Sequence, residues 1–266
     1  MFKIMLHTVF AALLLMPATS RAQEVTTAVR QPAGIVADGL NGDWQQPHYL
    51  YDAPTGLFFC IGNDSTRLYL CFTNNDERKI TKLMKAGWDI NVYSKEKRAR
   101  FSVTLSFAGV AMITDPGRDE GLIGAADPGF QNKLALYRLN SRQITATGLT
   151  SGDGNLPLKN PAGISAGMGS DSTRKFILEV SVPFSLLTGK PIPPGAELGL
   201  QVTVHGLKKP AYHGDPDGKD LVGKKVRRKG SIGVNGDDPT FLTDRSLIYT
   251  TIDFKQPFRL AGPVTN

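Results

Sequence analysis

The stretch Phe176-Ile-Leu-Glu-Val-Ser-Val182 places every second side chain, from Phe176 to Val182, on one apolar face. A period of two over seven residues is typical of a β-strand with one buried side. The same alternation occurs in residues 198–204, 88–93 and 100–106. These four segments predict strands that turn one row of apolar side chains toward a shared core.

The segments between them indicate short connections and little helix. Residues 57–72 read as a hairpin, and Asp76 can cap a short helix that Gly87 ends. Weaker strands are predicted at 134–139 and 143–148, a Gly-rich surface loop at 151–170, and a last strand near 247–254. The pattern predicts an all-β protein, a two-sheet antiparallel sandwich with one or two short helices.

The first 22 residues have the composition of a secretory signal peptide. Lys3 precedes an apolar run at 9–16, and small residues stand at Ser20 and Ala22. The run is shorter than the ~20 residues that a membrane-spanning helix needs. We therefore expect cleavage after Ala22, a single sandwich domain over residues 23–266, no transmembrane segment, and a secreted or periplasmic protein.

Cys60 and Cys71 are the two cysteines of the chain. A two-residue turn at Ser65-Thr66 would place them opposite each other in the 57–72 hairpin. Directly opposite Cβ atoms lie about 4.5–5.5 Å apart, which is somewhat far for a disulfide. An exported protein meets oxidising conditions, which favour a disulfide. The sequence is therefore compatible with a disulfide between the two cysteines and with two buried, reduced thiols.

Positive charge is concentrated in residues 205–230, which hold eight Lys or Arg and three Asp. The formal net charge of +7 falls to +5 when Lys3 and Arg21 leave with the signal, so this basic loop accounts for the whole excess. Clustered cations favour an acidic polysaccharide as partner, although a solvated loop has the same composition. Export argues against a nucleic acid.

Several sequence blocks, in order over about residues 35–205, are similar to one known family. They are the opening Asp38-Gly-x-x-x-Asp43-Trp44, a Leu-Tyr-Leu strand followed by Asp76, the block from Phe176 to Leu187, and the strand that begins at Glu197. Together they resemble the family 9 carbohydrate-binding module-like (DOMON-like) sandwich. The resemblance implies a jelly-roll-like fold and, in the xylan-binding members, a sugar end held between two Trp rings, with structural calcium as the one implied cofactor.

The two tryptophans depart from that family pattern. Trp88 belongs to an inward row and Trp44 to the opening turn, so the sugar clamp is not carried over. Asp38 and Asp43 match the opening motif, where we expect them to cap turns. No ligand residue and no metal ligand is transferred from the family.

The outward positions of the predicted strands supply the candidate binding residues. Side chains that hydrogen-bond hydroxyl groups in a fixed geometry suit a sugar. Six such side chains stand at outward positions, and they would share one polar sheet face if their strands are neighbours. They are Asn91, Tyr93, Arg100, Glu179, Gln201 and His205. A solvated outer face has the same composition.

No motif predicts catalysis. Gly163-Ile-Ser165-Ala-Gly167 matches the nucleophile-elbow pattern, but the flanking sequence predicts neither the strand before it nor the helix after it that this motif requires. The three histidines outside the signal lack the spacing of a zinc site. We expect no enzyme but a secreted, non-catalytic protein that binds a carbohydrate or cell-envelope glycan; the alternative is a structural or protein-interaction module of an envelope assembly.

Overall fold

A computed structural model describes residues 24–32, 34–45, 47–96, 100–110, 130–171, 175–207 and 249–262. These residues form two β-sheets packed face to face, with three short helices at their margins. The predicted all-β sandwich is confirmed. Two short edge pairings are parallel, unlike the fully antiparallel sheets expected.

Sheet one contains seven strands in the order β1-β13-β12-β6-β7-β8-β9. In that order the strands are Thr26–Thr27, Ile252–Arg259, Glu197–Val204, Gly87–Ser94, Phe101–Ala108, Gln143–Thr147 and Gly154–Pro157. The first and last elements of the described chain thus pair along one edge. The last strand begins five residues later than the sequence indicated.

Sheet two contains six strands, five of them in the order β10-β11-β5-β4-β2, with β3 also paired to β4. In the order given, followed by β3, they are Ser165–Ser170, Phe176–Pro183, Arg67–Asn74, Leu57–Asn63, Val29–Arg30 and Leu50–Asp52. Strand β10 lies within the segment 151–170 that was predicted to be a surface loop. That prediction is wrong because glycines 167 and 169 face a covering segment, as described below.

Helix α1, Glu77–Ala86, begins where the sequence predicted, since the Asp76 carboxylate accepts hydrogen bonds from the backbone N–H groups of Arg78 and Lys79. Helix α2, Phe130–Asn140, replaces the weak strand predicted at 134–139. Over residues 134–140, the part of this helix whose side chains are described, Leu134 and Tyr137 are buried, and their separation of three residues is a helical spacing. Helix α3, Phe184–Thr188, is one short turn after β11.

The space between the sheets is filled by the predicted inward rows. Trp88, Ile90 and Val92 from β6 meet the rows of β7, β11 and β12, and all are buried in one cluster. Trp88 is fully buried and packs edge-on against the Phe72 ring, with ring centroids 5.3 Å apart. This main core therefore confirms the inward half of each alternating strand.

A second, smaller core lies on the outer side of sheet two. It contains Trp44, Cys60, Tyr69, Cys71 and Ile177. Because successive side chains of a strand point to opposite faces, Ile177 faces away from its main-core neighbours in β11. The segments 34–45 and 47–49 cover this side, with Ile35, Trp44 and Tyr49 in or against the cluster, so β11 is buried on both faces.

The opening turn within 31–52 approaches β10 at backbone distance. A Cβ added to Gly39 would lie 2.4 Å from the carbonyl carbon of Met168, and one added to Gly167 would lie 2.5 Å from the carbonyl oxygen of Ala37. Glycines on both segments make this contact possible. Their missing side chains explain why β10 looked like a loop in the sequence.

The hairpin of β4 and β5 has the predicted register, with Cys60 directly opposite Cys71. The backbone N–H of Asp64 donates to the carbonyl of Arg67 at 3.1 Å, which closes the two-residue turn at Ser65-Thr66. Both thiols are free and buried in the second core.

We expect the two thiols to resist labelling in the folded protein. Burial raises the pKa of Cys60 to about 11 and that of Cys71 to about 12, and the thiolate is the reactive form. A thiol-reactive aromatic disulfide at pH 8 should release no colour from native protein and two equivalents after unfolding in guanidinium. Fewer than two equivalents after unfolding would show that the cysteines are linked.

Candidate functional site

The outer face of sheet one carries polar side chains in register across its central strands. Asn91 on β6 stands opposite Gln201 on β12 and Thr104 on β7. One step along, Tyr93 stands opposite Gly199 and Ser102. The structure therefore brings Asn91, Tyr93 and Gln201 together, as the sequence predicted if these strands were neighbours.

Asn91 and Gln201 are already held by hydrogen bonds along this face. The Asn91 side-chain amide donates to Ser102 Oγ at 2.9 Å and to Thr104 Oγ1 at 2.7 Å. The Gln201 amide donates to Asp253 Oδ2 at 3.1 Å. These bonds hold the two side-chain amide groups in place, and so they also fix the direction in which each side-chain carbonyl oxygen points.

The Tyr93 ring lies over the glycine of the neighbouring strand. A Cβ on Gly199 would stand 2.2 Å from Cζ of Tyr93 and 2.6 Å from its hydroxyl oxygen. The ring therefore occupies the space of a missing side chain, and the Nζ of Lys95 lies 5.8 Å from the ring centroid. A half-buried aromatic ring held this way offers a flat apolar surface beside the polar row.

Arg100 joins this face to a cavity at the end of the sandwich. It precedes β7 and is a diagonal neighbour of Tyr93 across the strands, a relation that spans about 7–8 Å. The exposed Arg100 lines a cavity of about 460 Å³, which we call the end cavity. Its other polar lining residues are Ser94, Glu96, Ser102, Thr150, Thr188 and Lys190, and its apolar ones include Phe101, Ile192 and two prolines.

The end cavity was not predicted from the sequence. Its lining comes from the ends of β6, β7 and β12, the turn after β8, and the segment after α3. The backbone N–H of Thr150 donates to the carbonyl of Leu186 at 3.0 Å, which joins two of these segments. The prolines at 191 and 193 were the one signal of a rigid segment there.

His205 belongs to the same sheet but lies at its other end. It follows β12, and its Nε2 forms an ion pair with Asp89 Oδ2 at 3.1 Å when the ring is protonated. It lies six positions after Gly199 along the extended chain, a distance of about 20 Å. His205 is therefore on the predicted face and remote from Tyr93 and Arg100.

Glu179 is not on this face, which corrects the prediction that it would share one. It belongs to β11 of sheet two and is buried beneath the opening turn. One carboxylate oxygen accepts from Trp44 Nε1 at 2.8 Å, and the other accepts from the backbone N–H groups of Asp38 and Gly39 at 3.1 and 2.9 Å. The prediction that Glu179 points outward from its own sheet is correct. The segment that covers it, which contains Asp38, Gly39 and Trp44, is too distant in sequence to be expected there.

The carboxylates of the opening motif cap turns, as expected. Asp38 Oδ1 accepts from the backbone N–H of Leu40 at 2.7 Å, and Asp43 Oδ2 accepts from that of Val36 at 2.9 Å. Within the described ranges, no three His, Cys, Asp or Glu side chains lie close enough together to hold a metal ion. The basic loop at 205–230 lies outside the described residues beyond Leu207.

Ser165 does not occupy a nucleophile elbow. That motif requires a strand, a sharp turn at the serine and a helix after it. Ser165 instead opens strand β10, and the chain continues into β11. None of the helices in the described part of the chain has the length and apolar character needed to cross a membrane.

Comparison with known proteins found no match among protein-family models and none among curated proteins. Among the similar solved structures are two family 9 carbohydrate-binding modules from Caldicellulosiruptor kristjanssonii, one in complex with glucose and one with cellotriose. The first is 9% identical, with a TM-score of 0.40, and covers 91% of this chain and 98% of that chain. The second is 10% identical, with a TM-score of 0.41, and the match covers 90% of this chain and 94% of that chain.

These two structures belong to the family that the sequence blocks resemble. With TM-scores below 0.5, the likeness supports no statement about a ligand of this chain.

Proposed function

We propose that this chain is an exported, non-catalytic protein that binds a carbohydrate or cell-envelope glycan across the outer face of sheet one. The observation that carries the proposal is the Tyr93 ring lying on Gly199 with Arg100 as its diagonal neighbour at the mouth of the end cavity. An aromatic surface beside fixed hydrogen-bonding groups suits a sugar ring, which has apolar C–H faces and a polar edge.

The polar groups near Tyr93 match the edge of a sugar. The side-chain carbonyl oxygens of Asn91 and Gln201 accept no hydrogen bond from the described residues and can accept from hydroxyl groups, while Arg100 and Lys95 can donate. The end cavity adds hydroxyl groups from Ser102 and other residues to an apolar floor. A chain of sugars that ran along the face could place one terminal ring in this cavity.

Positive charge near the cavity favours an acidic glycan. Lys95 lies against the Tyr93 ring, and Arg100 and Lys190 line the end cavity, whose described lining has one carboxylate, Glu96. Charge-assisted hydrogen bonds to carboxylates are stronger than neutral ones. Binding should therefore weaken as the salt concentration is raised, because exposed charges are screened.

Export is supported by residues 1–22, which have the composition of a secretory signal peptide.

Titration calorimetry against neutral and uronic-acid oligosaccharides, chosen by a glycan array, tests this proposal. We expect micromolar binding that Tyr93→Ala and Arg100→Ala each weaken by about tenfold, as loss of one stacking or charged contact would. Arg78→Ala is the matched control, since it removes an exposed arginine of helix α1, which is not part of sheet one and lines neither cavity, and should leave glycan binding unchanged. Binding that both Tyr93→Ala and Arg100→Ala leave intact would contradict the site.

One observation favours the alternative, a structural or protein-interaction module of an envelope assembly. The side-chain amides of Asn91 and Gln201 are satisfied within the sheet, as on an ordinary solvated face. Silence across the glycan array, together with recovery of one envelope protein on the immobilised wild-type chain and its loss with Tyr93→Ala, would support that alternative.

A further inference from the structure

We propose a second binding site, for a single amphiphilic anion with one acyl chain, in the cavity between helix α2 and the edge strand β10. This helix cavity has a volume of about 540 Å³. Its apolar lining includes Ala135, Leu139, Leu158 and Met168. The volume and the largely apolar lining are those of small-molecule sites, which typically measure about 300–1,000 Å³.

Three cations surround the helix cavity, namely Arg138, Arg142 and Lys159. All are exposed, and their side chains have no ion pair and no hydrogen bond in the part of the chain described. Asp38 is the one carboxylate in the lining, and its Oδ1 accepts from Leu40 N–H. With three cations against one carboxylate, the described lining of the cavity has a net positive charge.

The backbone brings these cations together. Arg138 lies in the last turn of α2 and Arg142 in the short connection from α2 to β8. The N–H of Leu158 donates to the carbonyl of Arg142 at 3.1 Å, which brings Lys159, the next residue, close to Arg142. Like charges held close together repel each other. An anion bound between them would remove that repulsion.

The apolar lining selects an acyl chain over a small inorganic anion. Leu139 is 57% exposed although it lines the cavity, so binding would bury apolar surface that now meets water. A carboxylate would reach the arginines while its hydrocarbon chain contacts Leu139, Leu158 and Met168. The lining comes from α2, β10, the opening turn and the segments next to β8 and β9, and it shares no residue with the end cavity or with the polar row around Tyr93. The site therefore does not depend on the glycan site proposed for sheet one.

Dodecanoate below its micellar concentration is the probe, titrated by calorimetry into the full chain. We expect saturable one-to-one binding that Arg138→Gln and Arg142→Gln each weaken by about tenfold. Acetate, dodecyl maltoside and dodecyltrimethylammonium should bind at least about tenfold more weakly, since each lacks the chain or the negative charge. Equal binding of the cationic or neutral amphiphile would overturn the proposal.

Two leucines of α2 provide a matched pair for the acyl chain. Leu139 lines the cavity and Leu136 does not, while both are exposed, so neither substitution disturbs the core. Leu139→Gln should weaken dodecanoate binding several-fold and Leu136→Gln should not. Binding only to phosphatidylglycerol vesicles, without saturable dodecanoate binding, would overturn the site in favour of a membrane contact. Arg100→Ala should leave dodecanoate binding unchanged, which separates failure of this site from failure of the glycan site.

Discussion

Replacing Gly39 by alanine is expected to lower the free energy of unfolding by about 3 kcal/mol or more, from left-handed strain of about 1–2 kcal/mol and overpacking of about 1–3 kcal/mol. Gly39 has φ +87°, and the new Cβ would stand 2.4 Å from Met168 C and 2.5 Å from Gly169 N. Backbone atoms cannot rotate away as a side chain can, so the opening turn must lift from β10. Urea denaturation with the slope held common measures the loss.

Other glycines separate the two causes of that loss. Gly34 has φ +97° and Gly42 an ordinary φ, and at either position a new Cβ would meet no described atom within 4 Å. Gly34→Ala should cost about 1 kcal/mol from strain alone, and Gly42→Ala about 0.5 kcal/mol or less. Gly167 lacks the positive φ but has the close contact. If Gly39→Ala cost no more than Gly34→Ala, the backbone contact with β10 would be wrong.

Glu179→Ala is expected to lower the free energy of unfolding by about 3–5 kcal/mol. The substitution leaves Trp44 Nε1 and the N–H groups of Asp38 and Gly39 without acceptors, and each buried unpaired donor costs about 1–3 kcal/mol. Glu197→Ala, which removes an exposed carboxylate, should change stability by about 0.5 kcal/mol or less. Equal effects of the two substitutions would contradict the role of Glu179 in holding the opening turn.

The same residue predicts a pH dependence. Burial raises the pKa of Glu179 above its ordinary value of 4.5, against the lowering by its hydrogen bonds to Gly39 and Trp44. Between the ordinary and the raised pKa, the folded protein holds a proton that the unfolded chain has released. Stability from this group is therefore full below pH 4.5 and falls as the pH rises through the raised pKa. The free energy of unfolding of Glu179→Gln, measured by denaturation at a series of pH values, should not show this fall with rising pH.

The sequence predicted those parts of the fold that depend on neighbouring residues. The inward rows, the register of Cys60 with Cys71, and the cap at Asp76 follow from periodicity, turn length and side-chain reach. Helix α2 was missed because Leu134, Leu136, Tyr137 and Leu139 fit a period of two about as well as one of 3.6. In the structure, the helical pair Leu134 and Tyr137 is buried, while Leu136 and Leu139 stay exposed.

The candidate sites were predictable only in part. Asn91, Tyr93 and Gln201 could be placed on one face because alternation fixes which side each occupies. Glu179 satisfied the same rule, yet a segment some 140 residues earlier covers it. Both cavities are assembled from segments far apart in the chain, and no local pattern reports such a meeting.

The order of strands in sheet one determines when during synthesis this sheet can be completed. Strand β13 lies between β1 and β12, so β1 has no partner until residues 252–259 have left the ribosome. Until then β12 presents an open edge, the kind of surface on which nascent chains associate wrongly. Sheet one is therefore completed only after residues 252–259 have been made, and until then its largest strands have to wait with one side unpaired.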